Sequence, residues 1–461
     1  MANDQSDTPE LPEDDYALER SLTGAVLDAV GAMDAAALDV LLEPLHPADI
    51  ADLLEQISGP ERRALLSLWS VGMDGEFLSE LDENLREEVI DTLPDAVLTE
   101  AVREMDSDDV VDLVEDLEGA QQEMILSSLK DADRVAVERA LSYPEFSAGR
   151  LMQRELVVAP EHWTVGEAID FLRAEDDLPE QFYHVILVDP GYHPTGYVTL
   201  GKLLGSPRVT DLKRLSEDSF RPIPVAQPEE DVAYAFNQYH LISAPVVDED
   251  NRLVGVITID DAMAVLDEEA EEDILRLAGV SGEESLSDRT LNTVRQRFPW
   301  LAVNLATAIL ASLVIAQFEA ILTQVVALAV LMPIVASMGG NAGTQSLTVA
   351  VRAIATRDLT GSNFWRVVRR EALAGLINGV IFAVVMGVIG VIWFGTPALG
   401  LVIAAAMVIN LVVAALAGIT IPIVLDKMGV DPALASGAFV TTVTDVVGFF
   451  AFLGLAAMVL I

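Results

Sequence analysis

Apolar and polar positions divide this chain into two parts with different periodicities. In the C-terminal part, apolar residues run uninterrupted by charge over membrane-spanning lengths, since a hydrocarbon core of ~30 Å takes about 20 residues of helix. Five spans fit. The first is Pro299 to Phe318, and the second lies within Ala320 to Val351, ending near Gly339. Two occupy the uncharged stretch Ala372 to Leu425, turning at Gly395, Thr396 and Pro397, and the fifth is Pro432 to Ile461, interrupted only by Asp445. The N-terminal part shows short apolar stretches at helical spacing instead. Residues 45–57 (LHPADIADLLEQI) and 105–117 (MDSDDVVDLVEDL) match in class, and related pieces start at Leu93 and Leu129. Each opens on Pro, Ser or Asp, which suit a helical first turn. Stacked short helices predict an α-helical, solenoid-like N domain over residues 21–142, after an acidic tail at 1–20 expected to be disordered.

A second repeat has the period of strands. Asp189, Gly196 and Thr199 recur as Asp248, Gly255 and Thr258, an offset of 59 at all three positions. Each copy reads as strand, polar turn and strand (VILVD and GYVT; APVVD and LVGVIT), with a helix upstream and a helix start downstream. This pattern resembles a tandem pair of cystathionine-β-synthase (CBS) domains, at 143–207 and 208–266. These are small α/β modules that pair and often sense nucleotides or ions. The resemblance implies a ribose contact at Thr258 and Asp261 in GVITIDD, and hence a nucleotide such as ATP. The first copy carries Lys202 where Asp261 stands in the second. From Asp267 to Leu277 runs a charged connector, helical by composition, with Ile274 and Leu277 as its apolar edge; it opens a connecting segment, 267–298, that leads to the spans.

Charge follows the same division. The 461 residues include no cysteine, are 52% apolar, and carry a formal charge of −46. From Pro299 onward six acids balance six bases, leaving 67 acids and 21 bases in residues 1–298. A secreted disulfide scaffold is excluded by the cysteine count, and a nucleic-acid partner by phosphate repulsion. Arginines precede the first span and fill the loop between the second and third, and Lys427 lies between the fourth and fifth. The positive-inside rule therefore predicts a multi-pass plasma-membrane protein with a cytoplasmic N-terminal part and its C-terminus outside. No basic n-region with an apolar h-region opens the chain, so no cleaved signal peptide is expected.

Asp445 carries the sharpest chemical signal, because a charged residue at mid-helix costs roughly 2.5–3.5 kcal/mol on insertion scales and generally faces a partner or a wet path. No intramembrane Lys or Arg is available to pair with it. Beside Thr441, Thr442 and Thr444 it reads as a cation site that a two-fold dimer would double; the alternative is a protonated carboxyl bonded to a neighbouring helix. The stretch MPIVASMGGNAGTQS, 332–346, carries Pro333 and three glycines, which disfavour a regular helix. It would then offer carbonyls, with Gly340, Asn341 and Gln345, to a hydrated ion. Close packing through small residues is the other account.

These residues, with the order of parts, resemble the MgtE family of magnesium channels over nearly the whole chain. The motifs are GGNAGTQS, DPALASG at 431–437 and TTVTD at 441–445, with Ala438 where many members have Pro. The resemblance implies a multidomain fold: a solenoid-like helical N domain, an α/β CBS pair, an acidic plug helix and an all-α domain of five spans. It also implies a homodimer in the lipid bilayer, a pore between subunits where Asp445 and Thr441 help hold Mg2+, and closure when cytoplasmic Mg2+ is high. Candidate regulatory ligands are Asp108, Asp109 and Asp112 in the N domain, Asp248, Asp250, Asp260 and Asp261 in the second CBS module, and Glu268, Glu269, Glu271 and Glu272 in the connector. Only 4 of the 27 bases are lysine, so a salt-adapted, halophilic surface is a rival account of most acids. Manganese or cobalt would suit the same oxygen ligands. A proton-coupled secondary transporter, with Asp445 titrating, is the main alternative function. The five histidines show no metal spacing and no nucleophile motif occurs, so no enzyme is expected.

Overall fold

The computed structural model describes residues 20–460 except 70–74, 116, 118, 176–177, 180, 218–219 and 281–289, and except the side chains of 20, 83–84 and 434–436. The expected acidic tail thus lies outside the described residues. Two compact units are present, Met1–Glu268 and Glu269–Ile461.

The N domain is built of short helices around one apolar core that includes Leu38, Leu53, Leu65 and Phe77. The four repeat-derived helices form at Pro47–Gln56, Asp95–Glu104, Ser107–Glu115 and Asp131–Ala140. Their starts follow from local chemistry. At Pro47–Gln56 the His46 imidazole accepts from the backbone of Ala48 while Asp49 reaches back to the His46 N–H, a reciprocal cap. Arg62 is 5% exposed yet satisfied: its guanidinium donates to Leu54 O at 2.9 Å and Ile57 O at 3.2 Å, and pairs with Glu88 at 2.7 Å.

The CBS pair contains two three-stranded sheets. The first holds β1 (Val157–Pro160), β2 (His184–Val188) and β3 (Pro194–Thr199); the second holds β4 (Ile223–Pro224), β5 (Ser243–Val247) and β6 (Leu253–Thr258). In each sheet the first strand is parallel to the middle one and the third antiparallel. The repeated Asp is a turn residue: Asp189 Oδ1 accepts from the N–H of Gly191 and His193, and Asp248 Oδ1 from those of Asp250 and Arg252. The repeated Gly admits close neighbours. A Cβ on Gly196 would strike Ser216, and one on Gly255 would lie 2.7 Å from Met152 Sδ.

The two modules interleave, which a linear division at 207 and 208 does not anticipate. Ala148 and Met152 sit in the core of the second module, with Ala148 N–H donating to Gln227 O and Gln153 exchanging backbone bonds with Val256. In return, Leu212 sits in the core of the first module, and Gly166 N–H donates to Arg208 O. Between the modules, His184 and Ser243, equivalent positions 59 residues apart, meet side chain to side chain.

Among the described residues, five helices are long and apolar enough to span a bilayer: Thr290–Ala316, Ala327–Ala355, Phe364–Phe394, Pro397–Lys427 and Pro432–Val459, hereafter spans one to five. The turn at Gly395 is as expected, with φ of 68° that glycine accepts without strain. The helix that carries span one is described from Thr290, with Pro299 inside it. A short helix, Glu319–Gln324, precedes span two. Span four is the hub, packing against spans two, three and five. Small residues permit this: a Cβ on Gly375 of span three would strike Leu411 O, and one on Gly418 would lie 2.7 Å from Ser346 Cβ of span two.

The helix of the connector begins at Ile259, directly after β6, and continues without a break to Leu277. The rest of the segment up to span one includes residues 281–289, which are outside the described set.

Candidate cation sites in the membrane and between cytosolic domains

Residues 332–346 are regular helix within span two, which overturns the expected irregular segment and moves the end of the span from Gly339 to Ala355. A bilayer leaves backbone no partners but its own, and Pro333 removes only one N–H. Gly340 therefore offers no free loop carbonyl; its C=O accepts from Thr344 Oγ1 at 3.0 Å. The glycines act as clearances. Gly339 faces Asn410, a Cβ on Gly343 would lie 2.6 Å from Val440 and 3.4 Å from Thr444, and Gly340 has open space beside it. Asn341, Thr344 and Gln345 are exposed on a shared helix face.

The Gly343 contact sets span two against span five at the level of Asp445. Both Gly340 and Asp445 are 13 residues from the start of their helices, or about 20 Å at ~1.5 Å per residue, close to mid-depth. Thr444 is 0% exposed and its hydroxyl turns back to Thr441 O, whereas Thr441 is exposed and Asp445 partly so. No hydrogen bond or ion pair reaches the Asp445 carboxylate from any described residue, and Asn341 bonds only within its own helix, to Ser337 at 3.4 Å.

Asn410 was not singled out from the sequence. It is 0% exposed in span four, donates to Val335 O at 2.8 Å, leaves Oδ1 without a partner, and packs on Gly339 and Gly448. A buried amide among alanines and valines was the available signal, since a membrane helix carries one only for a reason.

The cytosolic acids divide sharply. Helix Ser107–Glu115 faces the CBS pair, held by Ser107, whose hydroxyl bonds Glu155 at 2.8 Å and accepts from the Arg154 N–H, and by the Arg150–Glu115 pair. Its Asp108 and Asp109 there meet Asp261, whose carboxylate accepts from Thr258 Oγ1 at 2.6 Å. Burial, then the negative charge of Asp261, raises the Asp108 carboxyl well above its ordinary range. The same two causes push Asp109 up to about 7, against a lowering by Arg86. Asp261 is raised to about 6, first by burial and then by Asp260 and Asp106, despite the Thr258 hydrogen bonds. Asp112 instead pairs with Arg86 at 2.7 Å. Asp248 and Asp250 belong to the hairpin turn of β5 and β6, and Asp260 is exposed. Among the described residues no group of three or more His, Asp or Glu side chains is placed to hold a metal ion.

In the connector, Glu268 and Glu271 are exposed and Glu269 half-buried, while Glu272 pairs with Arg276 at 2.7 Å. Arg276 also pairs with Asp431 at 3.0 Å, at the start of span five, where Asp431 caps the Ala433 N–H. Leu277 packs with Leu347 and Val351 of span two and Ala433 and Val440 of span five. Ile274, the other expected apolar edge residue, is 68% exposed.

Five spans, a lone mid-depth carboxylate and a CBS pair in the polar half define a multi-pass membrane protein with cytosolic domains, of the cation-transporter class. Residues 332–455 match the family model of the MgtE divalent cation transporter, residues 45–146 the MgtE intracellular N domain, and residues 148–207 and 216–268 CBS domains. The magnesium transporter MgtE of Bacillus subtilis is 31% identical over 422 residues, 90% of this chain and 92% of that protein. The magnesium transporter MgtE of Thermus thermophilus is 32% identical over 448 residues, covering 96% and 99%. A crystal structure of the cytosolic domain of the Mg2+ channel MgtE in complex with ATP covers 53% of this chain and 99% of its own, at 30% identity and a TM-score of 0.48. The chain belongs to the MgtE family.

Proposed function

We propose that the protein is a homodimeric magnesium channel of the plasma membrane, with its C-terminus outside. It passes Mg2+ into the cytoplasm down the electrochemical gradient and closes when cytoplasmic Mg2+ rises. The observation that carries this reading is Asp445, a carboxylate at mid-depth with no cation or donor beside it among the described residues, and an open polar face of span two next to it. Magnesium gives up water reluctantly and is commonly held through one or two carboxylates with waters retained. A second Asp445 across a dimer axis would supply the pair, while Thr441, Asn341 and Gln345 hydrogen-bond to the ion's waters. Gly340 would contribute room.

Closure follows from Asp108, Asp109 and Asp261. These three carboxyls meet only by holding protons above their ordinary range, and a divalent cation between them would take the place of those protons as a bridge joining the N domain to the CBS pair. Asp260 and Asp112 flank this position. The connector helix starts at the same CBS strand, and its Arg276 and Leu277 sit on spans two and five. In this reading Glu268, Glu269, Glu271 and Glu272 make the connector itself responsive to the ion. ATP would use Asp261 for its ribose hydroxyls, and its phosphates would add negative charge beside three carboxylates. Nucleotide binding and cation bridging at that spot are therefore alternatives. The remaining acids serve as a solvating, salt-tolerant surface.

The test is magnesium flux into liposomes carrying the full-length protein and its Asp445→Asn variant. Loss of flux in the variant, with an unchanged dimer on size exclusion, is the expected result. Unchanged flux would refute the pore assignment, and flux that needs a proton gradient would favour the coupled transporter, or other divalents, over a magnesium channel.

A further inference from the structure

A cavity of about 450 Å3 lies between the N domain and the CBS pair, and none of the candidate cation ligands lines it. Helix Asp131–Ala140 forms one wall, and β1, the start of β6, Phe171 and the Tyr192 turn form the other. Along β6 the cavity lies at Leu253 and Val254, about 13–16 Å from Thr258 at ~3.3 Å per residue, so it is separate from the Asp261 cluster.

Its chemistry runs against that of the chain. Acids outnumber bases 73 to 27, yet the only charged residues lining the cavity are Arg139 and Arg154, and neither guanidinium has a carboxylate or hydrogen-bond partner among the described residues. Several other arginines of this unit are neutralised, Arg62 and Arg63 by Glu88, Arg86 by Asp112 and Arg150 by Glu115. Two arginines without ion-pair partners lining one cavity suit an anion. The rest of the wall is aliphatic or aromatic, including Leu156 and Val254, with Val135 exposed at 64% on the rim. No Asn, Gln, Ser, Thr, Asp or Glu lines it among the described residues, so nothing but the Tyr192 hydroxyl and the arginines offers a side-chain polar group to read a base or a sugar. The volume lies within the ~300–1,000 Å3 usual for small-molecule sites.

We propose that this cavity binds an aliphatic carboxylate, a fatty-acid-like anion whose chain lies between helix Asp131–Ala140 and the CBS strands and whose head group is held by Arg139 and Arg154. An occupant touches both walls, so it ties the N domain to the CBS pair.

The probe is octanoate, observed by saturation-transfer NMR on the full-length protein in nanodiscs, with EDTA present so that the result does not depend on the cation site. Octanoate should saturate the wild type. Affinity should fall about tenfold or more in Arg139→Glu/Arg154→Glu, which removes exposed and unpaired groups, and also in Val135→Trp, which fills the rim without touching the core. Equal signals in wild type and both variants would overturn the proposal by assigning octanoate to the bilayer. ATP or inorganic phosphate binding in place of octanoate, with loss in the same variants, would overturn the ligand class.

Discussion

Replacing Asp261 by Asn removes one charge from the N-domain contact while keeping an oxygen to accept from Thr258, at 2.6 Å from its hydroxyl in the wild type. The magnitude follows from the carboxyls it faces. Asp109 is raised from 3.8 to about 7, and three units at ~1.36 kcal/mol each shift the balance toward its protonated form by about 4 kcal/mol relative to a free carboxyl, burial contributing most and Asp261 next. Its repulsion with Asp261 is shared between the two and counts once. Because these acids are raised in the folded arrangement, the contact is strongest below their ordinary pKa. It weakens as pH climbs through about 6 for Asp261 and about 7 for Asp109. Magnesium at a hundred times its dissociation constant returns ~2.7 kcal/mol, enough to offset most of that loss. Hydrogen exchange at residues 105–112 and 153–156, followed from about pH 5 to 8 in EDTA and in millimolar magnesium, reads this directly. In the wild type, protection should fall with rising pH and return with magnesium. Asp261→Asn should stay protected in EDTA and lose most of the magnesium response. Exchange independent of both pH and magnesium, or a variant more open than wild type, would refute the electrostatic account. Molar potassium chloride should flatten the pH dependence only partly, since buried pairs are screened less than exposed ones.

Other consequences follow from single contacts. Arg276→Ala removes the partner of both Glu272 and Asp431, and should leave magnesium flux measurable at internal concentrations that silence the wild type. Gly343→Ala places a Cβ 2.6 Å from Val440, and overpacking of this kind costs about 1–3 kcal/mol, read as a lowered Tm in detergent with span two displaced from span five. Arg62→Met leaves Glu88 to Arg63 but strands the buried carbonyls of Leu54 and Ile57, and each unsatisfied buried acceptor should cost about 1–3 kcal/mol in urea unfolding.

Much of this molecule was legible because its periodicities are local. The uncharged runs determined the five spans, and the 59-residue offset located β2 against β5 and β3 against β6. What escaped depended on neighbours distant in sequence. Pro333 and the glycines of 332–346 read as helix breakers, yet Gly339, Gly343 and Gly418 provide close approach between helices, which shows only once the spans pack. Asn410 has the same character, a polar residue whose purpose is a carbonyl 75 positions away. Among the acids, composition could not separate Asp108, Asp109 and Asp261, which meet, from Asp248, which closes a turn. That distinction needs the N domain folded against the CBS strands.

The interleaving of the two CBS modules has a consequence for how such a chain can be cut. Ala148 and Met152 complete the second core and Leu212 the first, so each copy lends its leading segment to the other. The arrangement has the geometry of a domain swap within one chain. Neither copy should survive expression alone from a break at 207 and 208, whereas the same two fragments, mixed, should find each other and restore the pair.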